Sequence, residues 1–320
     1  MRALITGVFG QDGSYLSEIL ANKGYEILGI VNTPMSSNSQ KIAHELKEKG
    51  IVIEISEVDL LDYEALKNEL ITINPDEIYH LAAQHVSSEG ASLSVEKIIF
   101  NNNITATANI LDISFNYLHK CKVLTAGSCL MYDGSVTKIQ DETTPFCSNS
   151  YYGIAKITEN MLVNMYRAKG LFACTAILYN HESHRRASKF VTQKIAQNMR
   201  KVKNGEIETF TLGNLDGVKD WGYAKDYAYG MYLMLQHKDP EDFILATNTL
   251  HSIRDFVMEC AKQLNIENWE KYVKLDEKIV VRTMNTILCG DYSKAEKKLG
   301  WKPKVSFEGL VSEMLEGTLL

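Results

Sequence analysis

The chain has 320 residues, is 45% hydrophobic and carries a formal net charge of -6. That length suits one large α/β unit or a core domain with a smaller lobe. The acidic balance argues against a general nucleic-acid binder, which needs a basic surface, although a local basic patch can still hold phosphates.

Strand-like and helix-like segments alternate from the start. The pattern predicts strands over 3–6, 26–31, 52–55, 77–82, 122–126 and 172–178. Between them it predicts helices over 14–22, 40–49, 63–72, 95–119 and 152–168. Repeated alternation of this kind implies a parallel, doubly wound sheet. After about residue 180 the regularity weakens. Helical spacing recurs near 189–203 and 223–236, a strand over 243–246 is expected to return to the first sheet, and two short helices flank Trp301-Lys302-Pro303. With five prolines and no low-complexity linker, a dinucleotide-binding domain over 1–179 and a substrate lobe over 180–320 are expected to be interwoven, with segments near 223–250 rejoining the first domain.

The N-terminal run Ala3-Leu4-Ile5-Thr6 leads straight into glycines, so it reads as a strand and not as a secretory leader. No apolar run approaches the roughly 20 residues a membrane span needs. The six cysteines form no close pairs, which fits reduced thiols better than a disulfide frame or a zinc site. A cytoplasmic protein with no metal, no membrane and no nucleic-acid partner is expected.

Gly7, Gly10 and Gly13, with Gln11 and Asp12, follow the first strand and open the first helix. Glycines there allow a tight turn and a close backbone approach to a pyrophosphate, whose charge the helix N-terminus favours. An ordinary strand–helix turn is the bland alternative, but the position within a strand–helix–strand unit favours a dinucleotide site. At the end of the second strand, Asn32-Thr33-Pro34 offers neither an acid for the ribose of NAD nor an arginine for the phosphate of NADP. The missing cation favours NAD. Asp59 and Leu60, after the third strand, are candidates for the adenine, and Asp59 serves equally as a helix cap. Tyr152 and Lys156 lie one turn apart on a helix. A lysine cation stabilises a phenolate, which makes Tyr152 a candidate proton acceptor from a hydroxyl. With 16 tyrosines in the chain the spacing also arises by chance. Ser128, at the end of the fifth strand, can hydrogen-bond the reacting oxygen.

Together these residues resemble the extended short-chain dehydrogenase/reductases. The strings Gly10-Gln11-Asp12-Gly13-Ser14-Tyr15-Leu16, Leu81-Ala82-Ala83-Gln84, Asn180-His181-Glu182-Ser183 with Arg185-Arg186, Gly213-Asn214-Leu215-Asp216, Asp220-Trp221-Gly222 and Lys298-Leu299-Gly300-Trp301-Lys302-Pro303 resemble the GDP-mannose 4,6-dehydratases over nearly the whole chain. The resemblance implies a Rossmann-type sheet, a cofactor site that includes Leu81, Ala82, Ala83 and Gln84, and a homodimer or homotetramer paired through the two long helices. It also implies a GDP-sugar held in the C-terminal lobe by Asn180, Glu182, Arg185, Val191, Lys194, Gly213, Lys219 and Arg282. Lys194, Lys219 and Arg282 suit phosphates chemically, and each alone reads equally as a solvated surface cation. Lys219 stands where the dehydratases usually have arginine, so it keeps the charge and loses the fork.

Two departures from that pattern matter more. Asn32-Thr33 replaces the relatives' arginines. Leu130 stands where the dehydratases carry the glutamate that takes a proton from carbon 5 and helps expel the hydroxyl from carbon 6. The expected activity is therefore NAD-dependent oxidation of carbon 4 of a GDP-sugar without loss of water. Relatives that act on such sugars suggest a GDP-manno-heptose, or GDP-mannose itself, on the way to a surface polysaccharide. A 4-epimerase, a 4-keto-reductase, a 4,6-dehydratase and a non-enzymatic cofactor-binding protein stay open as alternatives.

Overall fold

Strand β1 (Arg2–Thr6) is buried along nearly its whole length and lies in the interior of a parallel sheet. A computed structural model describes residues 1–31, 34–85, 92–276 and 287–316. Its main sheet runs β10 (Phe243–Leu245), β6 (Ala173–Leu178), β5 (Lys122–Ala126), β4 (Glu77–His80), β1, β2 (Glu26–Ile30) and β3 (Glu54–Ser56). Every pairing in it is parallel. The chain winds outward from β1 through β2 to β3, then crosses back to β4 and winds the other way. In open α/β sheets the crevice at such a reversal, beyond the carboxyl ends of the strands, is where ligands bind.

Both faces of the sheet are covered, so its strands alternate between two apolar cores. Leu4, Ile78 and Val123 pack with Leu66, Leu70, Ile110, Leu111 and Val163, which belong to helices α3 (Tyr63–Ile73), α4 (Leu93–Tyr117) and α5 (Tyr151–Ala168). Ala3, Ile5, Tyr79 and Leu124 face the other way, towards Leu16, Leu20, Met231 and Leu235 of α1 (Gln11–Asn22) and α7 (Ala224–Gln236). Period-two side-chain alternation in the strands and helical spacing in the covering layers account for this sandwich. Helix α2 (Ser37–Glu48) follows β2 and packs on α1.

The smaller layer is built from β7 (Asn180–Glu182), β9 (Val218–Tyr223) and β11 (Leu250–Ser252) in the order β11-β9-β7, with β8 (Phe210–Leu212) paired to β12 (Val273–Leu275). Helices α6 (Val191–Lys203), α8 (Ile253–Gln263) and α10 (Phe307–Glu316) pack together beside it, and α9 (Ser293–Leu299) packs on α7 and β10. The strand expected to return to the main sheet does so as β10, in parallel register with β6. The sequence pattern gave no sign of the 3₁₀ turn Cys129–Tyr132 after β5, because four residues are too few to show a periodicity. Helix α1 also starts three residues earlier than its apolar spacing indicates, at Gln11 and directly behind the glycines.

Candidate active site

A cleft of about 490 Å³ opens at the reversal point, between the ends of β1, β4 and β5 on one side and the smaller layer on the other. Gly7, Gly10 and Gly13 line its floor. Gly7 has φ +73°, and a β-carbon there would stand 3.0 Å from the amide nitrogen of Ala82. The turn closes through Gly10 N donating to Gly7 O at 2.8 Å. A β-carbon on Gly13 would meet Gly7 O at 2.5 Å, so glycine is what lets α1 start this close to the turn. Gly10 caps α1 without a side-chain bond, and the first amides of a helix have no acceptor within it. The bare floor and free amides fit a pyrophosphate.

Gln11 and Asp12, expected at the cofactor, also line the cleft, but their side chains reach across to β7. Gln11 Nε2 donates to His181 O at 2.9 Å, and Ser183 Oγ donates to Gln11 Oε1 at 2.9 Å. Asp12 Oδ1 lies 3.0 Å from His181 Nε2. Burial opposes both charges, but the mutual attraction outweighs it, so the carboxyl pKa falls below and the imidazole pKa rises above its ordinary value. These residues clasp the glycine turn to the smaller layer.

Beyond the floor stand Ser128, Tyr152 and Lys156, all in the cleft wall. Ser128 stands two residues beyond β5 and caps the 3₁₀ turn, its Oγ accepting from Leu130 N at 3.2 Å. The hydroxyl also reaches the Cys129 thiol, and it can rotate to donate its proton to a substrate oxygen instead. Ser150 caps α5, accepting from Gly153 N at 3.1 Å and donating to Asp133 Oδ2 at 2.9 Å. The start of α5 is thereby tied to the residue that follows the 3₁₀ turn. Lys156 Nζ sits 5.7 Å from the centre of the Tyr152 ring and donates to Glu159 Oε2 at 2.9 Å. Burial raises the Tyr152 pKa, Lys156 and Arg186 oppose it, and Glu159 and Cys129 add to it. Burial works against the Lys156 cation, but Glu159 outweighs it and holds the pKa above the usual lysine value.

Of the expected substrate residues, Asn180, Glu182, Val191, Lys194, Gly213 and Lys219 line the cleft together. Glu182 is engaged: Thr192 Oγ1 donates to its Oε2 at 2.7 Å, and Arg186 Nε lies 3.2 Å from the same oxygen. Arg185 is a correction. Its side chain turns away from the cleft, is 2% exposed, and binds Glu18 and Glu45, with its guanidinium 4.2 Å from the centre of the Tyr15 ring. The arginine that reaches the cleft is its neighbour Arg186, stacked 3.7 Å over Phe190. After β7 the chain turns, with Arg186 N donating to Ser183 O at 3.0 Å, so the two adjacent side chains leave in different directions, and the string alone did not say which arginine would face in.

Leu81 and Ala83 line the cleft, whereas Ala82 and Gln84 do not. Ala82 N donates to Thr6 Oγ1 at 3.1 Å, and Gln84 N to Asn103 Oδ1 at 2.9 Å. Asp59 and Leu60 are also outside the cleft wall. Asp59 Oδ1 accepts from Leu61 N at 3.0 Å and Leu60 O from Asn109 Nδ2 at 2.9 Å. Asn32, Thr33 and Arg282 lie outside the described residues.

Sequence reasoning missed His85, Lys189, Thr192 and Trp221, all in the wall. The ring of His85 meets that of Tyr152 edge-on, with centres 4.5 Å apart. Its only signal was adjacency to the Leu81–Gln84 string. All six cysteines are unpaired. Among the described residues no helix is long and apolar enough to cross a membrane, and no group of His, Cys, Asp or Glu is arranged to hold a metal ion.

The parallel sheet, glycine turn and Ser128–Tyr152–Lys156 grouping define a short-chain dehydrogenase/reductase. The family profile described as GDP-mannose 4,6 dehydratase matches residues 4–314, and the chain belongs to that family. It is 40% identical to the GDP-mannose 4,6 dehydratase of Cricetulus griseus, over 98% of this chain and 90% of that protein. It is equally 40% identical to the Homo sapiens enzyme of the same name, again over 98% and 90%. Among solved structures, the UDP-glucose 4-epimerase of Thermus thermophilus in complex with NAD superposes with a TM-score of 0.82 at 23% identity, covering 99% of this chain and 98% of that one. That likeness is one of fold.

Proposed function

We propose that this protein oxidises carbon 4 of a GDP-sugar, of the GDP-mannose or GDP-manno-heptose type, to a 4-keto sugar and does not remove water. NAD, as in the solved Thermus thermophilus structure, would be held by the glycine turn with Leu81 and Ala83, and would accept the hydride from carbon 4. Tyr152 takes the hydroxyl proton, Ser128 holds the reacting oxygen and Lys156 supplies a cation behind the ring. Lys194, Lys219, Lys189 and Arg186 line the same cleft and suit a diphosphate. One sugar yields one 4-keto sugar, NADH and a proton, so turnover requires NADH to leave or to be reoxidised by a second substrate. Pairing with a second copy through α4 and α5 is part of the same reading. Ile98, Ile154, Met161 and Met165 on those helices are exposed.

The observation that carries this reading is Leu130. It lines the cleft beside Ser128, where elimination needs a group that moves a proton, and an alkyl side chain has none. The carboxylates in the described cleft wall are Asp12 and Glu182, and both are engaged. A second reading, the 4,6-dehydratase of the named relatives, draws its support from His85, which touches the Tyr152 ring and would have to take the carbon 5 proton.

Product mass after incubation with NAD and either GDP-mannose or a GDP-manno-heptose separates the two. Loss of two hydrogens with NADH formed supports the dehydrogenase, and loss of one water sinks it in favour of the dehydratase. An unchanged mass calls for proton NMR of the sugar, where inversion at carbon 4 would establish an epimerase instead.

A further inference from the structure

Helix α5 carries a buried charge for which the dehydrogenase reading has no task. Glu159 lies three residues after Lys156, on the same face of the helix. Both side chains are 3% exposed, and Lys156 Nζ meets Glu159 Oε2 at 2.9 Å. The other carboxylate oxygen, Oε1, is buried with no hydrogen-bond partner. Desolvating two charges consumes most of the attraction between them, and an unpartnered buried oxygen costs more still. Folding stability is thus a poor reason for this pair to exist.

Its surroundings suggest another reason. The Lys156 ammonium is 5.7 Å from the Tyr152 ring centre on the same helix. From β4, His80 faces it. Burial and Lys156 depress the His80 pKa to about 3, so that ring is neutral, with Nδ1 2.8 Å from Thr6 Oγ1. From the 3₁₀ turn, Cys129 faces Tyr152, and burial pushes its thiol up to about 12, so it too is neutral. Arg186 acts on Tyr152 from the opposite wall. The full charges acting on the phenol are therefore Lys156, Glu159 and Arg186, and the titratable ring of His85 meets it edge-on at 4.5 Å. A lone ammonium at this distance stabilises a phenolate strongly. An ammonium in contact with a carboxylate is a dipole, whose field falls off faster with distance.

We propose that Glu159 is a positioning residue that fixes Lys156 and cancels much of its charge at Tyr152, keeping the tyrosine a neutral phenol until a cationic cofactor enters the cleft. The proposal rests on the reading of Tyr152 as the proton acceptor. It makes proton removal conditional on the cofactor and pushes the reaction towards alkaline pH.

The test is an ultraviolet difference titration of phenolate absorbance with NAD bound, each protein read against its own Tyr152→Phe counterpart so that the remaining tyrosines cancel. In Glu159→Gln the Tyr152 midpoint should fall by about one pH unit or more, the size expected when an opposing charge is removed near a titrating group. Glu159→Asp keeps the charge and should stay near the wild-type midpoint. A Glu159→Gln midpoint equal to wild type, with only thermal stability changed, overturns the proposal. Should Glu159→Gln fail to fold, Lys156→Met/Glu159→Leu replaces the pair by apolar groups. Its midpoint should lie within about one pH unit of wild type, and a rise of about two or more would show that the Lys156 charge reaches Tyr152 undamped, which also overturns the proposal. Failure of the wild-type protein to bind NAD would count against the dehydrogenase reading instead, and the same titration on the free proteins would then decide the role of Glu159.

Discussion

The backbone carbonyl of Leu130 occupies the space that a β-carbon on Gly153 would need. The 3₁₀ turn carrying Ser128 and the helix carrying Tyr152 therefore touch backbone to backbone. Serine hydroxyl and phenol are held as one unit, and the residue at position 130 is pressed into the cleft beside them.

Gly153→Ala should force turn and helix apart. We expect a fall in turnover of about a hundredfold, the order associated with a displacement of about 1 Å in reacting groups, with a loss of about 1–3 kcal/mol from overpacking. Steady-state assays and chemical denaturation check the two effects separately.

Leu130→Glu returns a carboxylate to the cleft wall beside Ser128. Under the proposed function part of the product should then have lost one water relative to the 4-keto sugar. A product whose mass is the same in wild type and variant would show that this position does not govern elimination.

Tyr152→Phe removes the hydroxyl and leaves the ring against His85. NAD reduction should drop about 10²- to 10⁴-fold, the range of a lost general base. Dissociation constants for NAD and for the GDP-sugar, measured by calorimetry, should change little. Equal loss of binding and rate would assign the residue to packing.

Arg185 and Arg186 are adjacent in sequence and opposite in environment, and their substitutions should separate. Arg185→Met takes the shared cation from Glu18 and Glu45 and should cost about 3 kcal/mol, as broken buried ion pairs do, with KM for the sugar nucleotide unchanged. Arg186→Met should raise KM, with a smaller loss of stability from its pair with Glu182.

The same cluster sets a pH dependence. Burial opposes ionisation of Glu18, but Lys225, Lys49 and Arg185 outweigh it and hold its pKa at about 2, below the ordinary 4.5. A carboxyl whose folded pKa is depressed adds stability that is fully present above its unfolded pKa and is lost as pH falls through the folded value. Urea midpoints should therefore hold near pH 6 and fall between about pH 4.5 and pH 2. Glu18→Gln should flatten that slope, and an unchanged slope would assign the acid sensitivity to other carboxyls.

The sequence by itself determined the features that depend on neighbours along the chain. Alternating strands and helices predicted the parallel sheet, because burial on both faces imposes apolar strands between amphipathic helices. The spacing from Tyr152 to Lys156 is one turn of any α-helix, and glycines directly after β1 announce a turn that only they can make. Tertiary structure decided everything that depends on which way a side chain leaves the backbone and what it meets. Which of two adjacent arginines enters the cleft, that the side chains of Gln11 and Asp12 reach β7 from the cleft floor, and that His85 lies against Tyr152 are contacts between segments far apart in sequence. The Lys156–Glu159 pair lies between these cases. Its spacing is legible as an ordinary surface pair on a helix. Its near-complete burial, and with it the reason to ask what the carboxylate does, exists only once α5 is packed against the sheet.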